Sequence, residues 1–231
     1  MKEGKKTSNI ELGAVFYPTV DNKGDKIPFD SLYLPWIWKE IYFDGIYADV
    51  LNQKKDMVII DVGANSGLVT QHMRDYAKKL YAIEPSPEHF EALEKNKEFN
   101  KWDNVEVFNV AMADQDGEMK LNINTINRTC HSVATDSGHG YTKSKTVKTV
   151  RFDTFMEENN IDEVDFVKFD VEGAEDMILR GSGFYNVHDK IKAIEVEFHY
   201  PTWNLLVEHM IKLGFTARRY DCSAVVVLFT R

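Results

Sequence analysis

Cysteine is nearly missing from this chain. It occurs only as Cys130 and Cys222, far apart and with no CxxC pair, which excludes a disulfide framework and a cysteine-built zinc site. So little cysteine fits a reducing compartment, and the expectation is a cytoplasmic protein. Positive charge is also short. The 28 Lys and Arg face 37 Asp and Glu, a net charge of −9, whereas a nucleic-acid backbone calls for a basic face. Nucleic acid is therefore disfavoured as a partner. No apolar run approaches the roughly 18 residues of a membrane-spanning helix. The opening MKEGKKTSNIELG has lysines with no apolar stretch behind them, so it does not read as a secretory signal. Absent too are the Gly-x-Gly-x-x-Gly of dinucleotide sites, the Gly-Lys-Ser of a P-loop and any internal repeat.

What is present is a globular composition, 43% hydrophobic and 28% charged over 231 residues, enough for one domain with a sizeable core. Residues 1–30 are polar and turn-rich. Trp36, Ile37, Ile41, Tyr42, Ile46, Tyr47 and Val50 recur at helical spacing, predicting one or two amphipathic helices whose aromatic stripe packs into a core. Strands are expected at 57–60, 80–83, 105–110, 118–123, 147–152, 164–169, 191–198, 216–220 and 224–230. Between them the pattern predicts helices at 68–79, 87–99, 153–159, 174–179 and 203–213. Ser86-Pro87-Glu88 is a helix start: a capping serine, a proline in the first turn, an acid at the positive helix end. Residues 124–146 lack apolar periodicity and read as a long loop of the kind that carries function. Strands alternating with helices predict right-handed βαβ units, hence an α/β fold with a doubly wound, mostly parallel sheet. No second domain is expected: residues 1–55 form an N-terminal helical and loop extension, a candidate cover for a cleft, and 56–231 the core.

The stretch VIIDVGANSG (58–67) leaves a buried strand through Asp61, Gly63, Asn65 and Gly67. In open α/β sheets a ligand sits beyond the carboxyl ends of the strands, where strand order reverses. Glycines there let backbone approach a ligand, and the next helix offers free N–H groups. A tight turn with packing glycines explains the same residues without a ligand. Glu84, at the end of the second strand, adds weight to a ligand site, because an acid there can accept hydrogen bonds from a ribose diol.

The sequence resembles class I S-adenosylmethionine-dependent methyltransferases, and more closely the FkbM family. The resemblance is carried by VIIDVGANSG, YAIEPSPEHFEALEKN, VEVFNVAMADQDGE and, most specifically, VDFVKFDVEGAEDMILRG (164–181). It implies a seven-stranded Rossmann-like sheet whose last strand is inserted antiparallel, and S-adenosyl-L-methionine as cofactor. It further implies that Asp61 and Gly63 line the methionine end, with Glu84 on the ribose, Ala111 and Met112 beside adenine, and Asp114 near its amino group. The implied activity is O-methylation of a hydroxyl on a small molecule or glycan. The rivals are an N- or RNA-directed methyltransferase, which the missing Asp/Asn-Pro-Pro-Tyr/Phe motif and the acidic charge disfavour, and a silent binding module that keeps the fold.

An alkyl hydroxyl is a poor nucleophile while protonated, so such an enzyme wants a base or a metal at the oxygen. Strand alternation puts Lys168, Asp170 and Glu172 on one side of their strand, and Glu195, Glu197 and His199 on one side of the next. Lys168 reads as a buried ion pair with a carboxylate. Asp170 reads as a cofactor contact or a group at the transfer locus. His199 is the leading base, with an ordinary imidazole titrating near 6.5. No metal is called; a metal-assisted version with Asp170, Glu172 and His199 as ligands is the second choice. His72, His89, His131, His139, His188 and His209 read as solvated.

Overall fold

The structure, a computed structural model, describes residues 45–123, 131–133, 143–220, 222 and 224–231. Expectations for residues 1–44 and for most of the 124–146 loop lie outside these residues. The described chain begins with α1 (Ala48–Leu51) and the central strand β1 (Met57–Val62), followed by α2 (Leu68–Met73), β2 (Ala77–Ile83), α3 (Pro87–Asn100) and β3 (Val105–Phe108). Three strands then stand apart: β4 (Ala111–Ala113), β5 (Gly117–Ile123) and β6 (Lys143–Arg151). After α4 (Phe152–Glu158) come β7 (Val164–Phe169), α5 (Glu175–Arg180), α6 (Ser182–Tyr185), β8 (Ile191–Phe198), α7 (Trp203–Lys212), β9 (Thr216–Arg219) and β10 (Val225–Thr230).

The main sheet has seven strands in the order β3-β2-β1-β7-β8-β10-β9. β10 alone runs antiparallel to its neighbours; β3, β2, β1, β7 and β8 are parallel. The expected doubly wound sheet and its inverted last strand are therefore present. Chain order reverses between β1 and β7, which places the ligand-binding crevice beyond Val62 and Phe169.

The sheet is covered on both faces, which is why β1 and β7 are almost continuously apolar. Ile60, Val62, Val167 and Phe169 turn to one side, against Phe152, Phe155 and Ile178. Met57, Ile59 and Phe166 turn to the other, against Tyr47, Leu51, Leu68, Leu93 and Trp102.

The strands expected at 118–123 and 147–152 are present and lie outside the main sheet, in a three-stranded sheet, β4-β6-β5. β5 and β6 are largely exposed, and strands with one wet face do not fit inside a sheet buried on both sides. The helix predicted to reach residue 79 stops at Met73, because Met57 N–H donates to Tyr76 O and residue 77 pairs with β1, drawing the chain early into β2. Among the described residues no helix is long and apolar enough to cross a membrane.

At the opposite end of the sheet from the crevice, Asp165 joins three strands. Its carboxylate accepts from Val58 N (3.0 Å), Lys54 Nζ (2.7 Å) and Lys192 Nζ (3.0 Å). Burial pushes its carboxyl up, but the lysines and the Val58 N–H outweigh burial and hold it below the usual range. Both lysines are half exposed and add little, so the backbone bond dominates. Asp165→Ala should cost about 2 kcal/mol in urea unfolding at pH 7. A depressed carboxyl stabilises the fold above its ordinary value, about 3.9, and loses this as pH falls through its lowered value. The difference between variant and wild type should accordingly close on acidification; a difference that persists in strong acid would contradict the assignment.

Candidate active site

The apolar face of the sheet turns charged where the crevice opens. Asp61 on β1 lies in register with Lys168 on β7, and Lys168 with Glu195 on β8, so one row across three strands reads acid, base, acid. Asp61 is fully buried and Lys168 is 5% exposed. Lys168 Nζ donates to Gly63 O at 2.7 Å and stands 3.4 Å from both Asp61 Oδ1 and Asp170 Oδ2. Burial works against the ammonium, but Asp170, Asp61 and Glu197 outweigh it and hold its pKa well above the usual lysine range. Burial likewise raises the carboxyls of Asp61 and Glu195, only partly offset by Lys168. Asp61 Oδ2 accepts from Thr70 Oγ1 at 2.6 Å. Its side chain thus also helps to shape the turn from within.

The glycine turn is anchored to β2. Gly63 N and Ala64 N donate to Ile83 O; Asn65, in the left-handed region at φ 52°, donates its N–H to Glu84 Oε2 at 2.8 Å. Glu84 Oε1 accepts from Ser86 N at 2.8 Å, so each oxygen of Glu84 has one backbone donor and spare lone pairs. Asn109 Nδ2, unassigned from the sequence, ties the strand after it to Glu84 O and Pro85 O.

The glycines have the packing reason that the sequence left open. A Cβ on Gly63 would sit 1.8 Å from the Asp170 carbonyl oxygen, and one on Gly67 would meet Leu93 at 2.6 Å. Gly63 lets the turns after β1 and β7 touch, and Gly67 lets α2 pack. A larger residue at 63 breaks the floor of the site rather than only its ligand contact.

Ala111 and Met112 form β4, with side chains buried in the core, so only their main chain is left for an adenine. Asp114 is exposed and lies against Gly181, at the end of α5. His89 is buried rather than solvated: its ring stacks on His131 at 4.8 Å, and its Nδ1 is 3.7 Å from Glu84 Oε1.

At the mouth, Asp170-Val171-Glu172-Gly173 turns sharply, with Glu172 and Gly173 both at positive φ. This brings Glu172 against His199, one residue past β8. His199 Nε2 lies 3.8 Å from Asp170 Oδ1, 3.5 Å from Glu172 Oε2 and 3.8 Å from Glu197 Oε1. Its Nδ1–H donates to Glu175 Oε1 at 2.7 Å, and Glu175 is fully buried. Burial alone would discharge the imidazole; the Glu175 bond and the Asp170 and Glu172 charges outweigh it and push its pKa up to about 10. The ordinary value near 6.5 does not hold in this setting: with only these neighbours His199 keeps its proton through neutral pH. Asp170 Oδ1 is buried and makes no hydrogen bond.

Sequence reasoning missed Glu175, although it lies in the VEGAE block. Tyr47 is buried in the core, as expected, and its hydroxyl is held protonated, first by burial and then by the charges of Glu195, Glu197, Asp170 and Asp61.

Comparison with known proteins gives the family. Residues 61–221 match a family model described as the Methyltransferase FkbM domain. The chain is 30% identical over 173 residues to Methyltransferase 1 of Beauveria bassiana, covering 67% of this chain and 69% of that protein. A solved rRNA methylase from Streptococcus thermophilus superposes with a TM-score of 0.52 at 12% identity, over 81% of this chain and 93% of its own. The METTL16 MTase domain does so at 0.53 and 10%, over 83% and 67%. At those identities the two structures speak for the fold alone.

Removing the Lys168 ammonium while keeping its length, as in Lys168→Met, leaves Asp61 buried without compensation, which should cost about 3–5 kcal/mol. Adding Asp61→Asn should return part of that loss. A Lys168→Met protein with wild-type urea stability would contradict the pairing.

Proposed function

The chain belongs to the FkbM family of methyltransferases, and from that premise we propose that it methylates a hydroxyl group of a small molecule or glycan. The observation that carries the reading is the Asp170–Glu172–His199 cluster at the strand-order reversal, a proton-handling group placed where an alcohol needs one. The family's cofactor, S-adenosyl-L-methionine, supplies an activated methyl group on a sulfonium centre.

The residues present fit that cofactor. Glu84 has spare lone pairs at the end of β2 for a ribose diol, and the turn from Gly63 to Gly67 offers backbone for the methionine end. The unbonded Asp170 Oδ1 and the acidic lining suit a cationic ligand. Ala111 and Met112 flank the adenine side through main chain only, and no part is proposed for Asp114. Asp61 and Lys168 are positioning residues that fix the turn. Residues 1–55 serve as the extension proposed to cover the cleft, and residues 56–231 as the catalytic core.

Orientation is most of the work, since holding two reactants in line contributes on the order of 7–11 kcal/mol. The acceptor proton becomes strongly acidic as its oxygen takes up the methyl group, so a carboxylate suffices to receive it. Asp170 Oδ1 is the oxygen best placed, with His199 and Glu172 holding it in position. The same carboxylates repel a phosphate backbone, which supports a small acceptor over RNA.

Glu84→Gln should weaken S-adenosylmethionine and S-adenosylhomocysteine alike by calorimetry, by about tenfold or more for a charged hydrogen bond; a change confined to turnover would move Glu84 into the chemistry. The acceptor class is tested by incubating the protein and S-adenosylmethionine with hydroxyl-only and amine-only compounds and reading methyl gain by mass spectrometry. Methylation restricted to the amines would overturn the hydroxyl assignment.

A further inference from the structure

We propose that Asp170, Glu172 and His199 form a divalent-cation site, of the magnesium–manganese class, that holds the acceptor oxygen in the cleft. Its catalytic role rests on the methyl-transfer reading above; its existence does not. One ligand atom from each of the three residues can be chosen so that all lie within 4.8 Å of one another. Around an ion with bonds of about 2.0–2.2 Å, adjacent donors lie roughly 3 Å apart and opposite ones roughly 4.2 Å. The separations of 3.8 Å and 3.5 Å from His199 Nε2 fall between these limits, and the two carboxylates, within 4.8 Å of each other, close in on the ion when it binds. All three side chains are partly exposed, at 28%, 16% and 15%, which leaves an entry path and room for water or an acceptor oxygen.

The cluster is more than a group of acids. Fully buried Glu175 takes the Nδ1–H of His199 at 2.7 Å, the arrangement that fixes the tautomer of a metal-ligating histidine and turns Nε2 outward. Among the described residues the ion-pair partners of Nε2 are Asp170, Glu172 and, at 3.8 Å, Glu197, and Nε2 gives up its proton to solvent when an ion takes it as ligand. Asp170 Oδ1 is buried and makes no hydrogen bond, a cost that an ion removes. Gly173 N–H donates to Glu175 Oε1 at 3.1 Å, so the loop that carries Glu172 is tied to the same buried acid. Oxygen donors with one imidazole suit manganese or magnesium rather than a thiophilic ion. Bound there, the cation would take a lone pair of the acceptor hydroxyl. The O–H bond then breaks more readily, its proton passes to a carboxylate oxygen of the cluster, and the oxygen keeps the electron pair that forms the new bond to methyl.

The test uses the full chain, freed of metal with EDTA and dialysed, with neither cofactor nor acceptor added. Mn2+ is titrated in, and free Mn2+ is read by electron paramagnetic resonance. One saturable site is expected. Glu172→Gln and His199→Ala should each weaken it at least tenfold, and Glu175→Gln by about 10–100-fold, while Asp103→Asn, on the far side, leaves it unchanged. Thermal melts establish that each variant is folded, and Glu172→Gln, in a surface turn, serves if Glu175→Gln is not. No saturable binding up to millimolar Mn2+, or binding of undiminished affinity in both Glu172→Gln and His199→Ala, would overturn the site. Methyl transfer that persists in EDTA would overturn the role in holding the acceptor and leave the methyl-transfer reading standing. Intact Mn2+ binding with no methyl transfer to any hydroxyl acceptor would count against that earlier reading instead.

Discussion

The buried ammonium of Lys168 is the constraint on which the rest of the site depends. It sits where chain order reverses and is the common partner of a strand end (Asp61), a turn carbonyl (Gly63) and the start of the next loop (Asp170). A charge this deep is tolerable only when surrounded by carriers of the opposite sign, and the register supplies them: acids stand beside it on both neighbouring strands. The pairing also explains Gly63. With the two turns drawn onto one cation, their backbones come so close that any Cβ would collide with the Asp170 carbonyl.

From that point the crevice is built outward in layers. Below the charged row the same face of the sheet is apolar, so folding is driven by ordinary burial and the polar row rides on a finished core. Glu84 fastens the glycine turn to the second strand through the Asn65 and Ser86 N–H groups. On the other side, Glu175 fastens the Asp170–Gly173 turn and His199 together. Two buried or nearly buried acids thus fix the two walls, one suited to a nucleoside and one to an acceptor. Tyr47, from the segment before β1, is buried in the apolar cluster on that face of the sheet, and the acids of the row help to hold its hydroxyl protonated.

Much of this was legible in the sequence, for identifiable reasons. Buried parallel strands announce themselves as apolar runs, so β1, β7 and β8 were placed nearly residue for residue. Period-two alternation put Lys168 and Asp170 on one side, and Glu195, Glu197 and His199 on one side of the neighbouring strand. What the sequence did not carry is what depends on distant partners. Gly63 and Gly67 are needed because of Asp170, Leu93 and Trp102, and no local pattern names those contacts. The protonation of His199 is set by Glu175, 24 positions away in the chain, and its ordinary value was the only one available beforehand. The separate three-stranded sheet depends on pairing between residues near 117–123 and 143–151, across a stretch with no periodicity. The exposed position of Asp114 beside Gly181 likewise follows from the packing of α5, which no local pattern encodes.

The central claim is that the crevice between the ends of β1 and β7 binds the cofactor, with the nucleoside toward Glu84 and the reacting end toward Asp170. A crystal structure with S-adenosylhomocysteine tests it most directly. The account predicts the ribose diol on the Glu84 carboxylate, the homocysteine along the Gly63–Gly67 turn, and the sulfur facing the Asp170, Glu172 and His199 side chains. A nucleoside bound elsewhere on the sheet, or a sulfur turned away from that cluster, would contradict it.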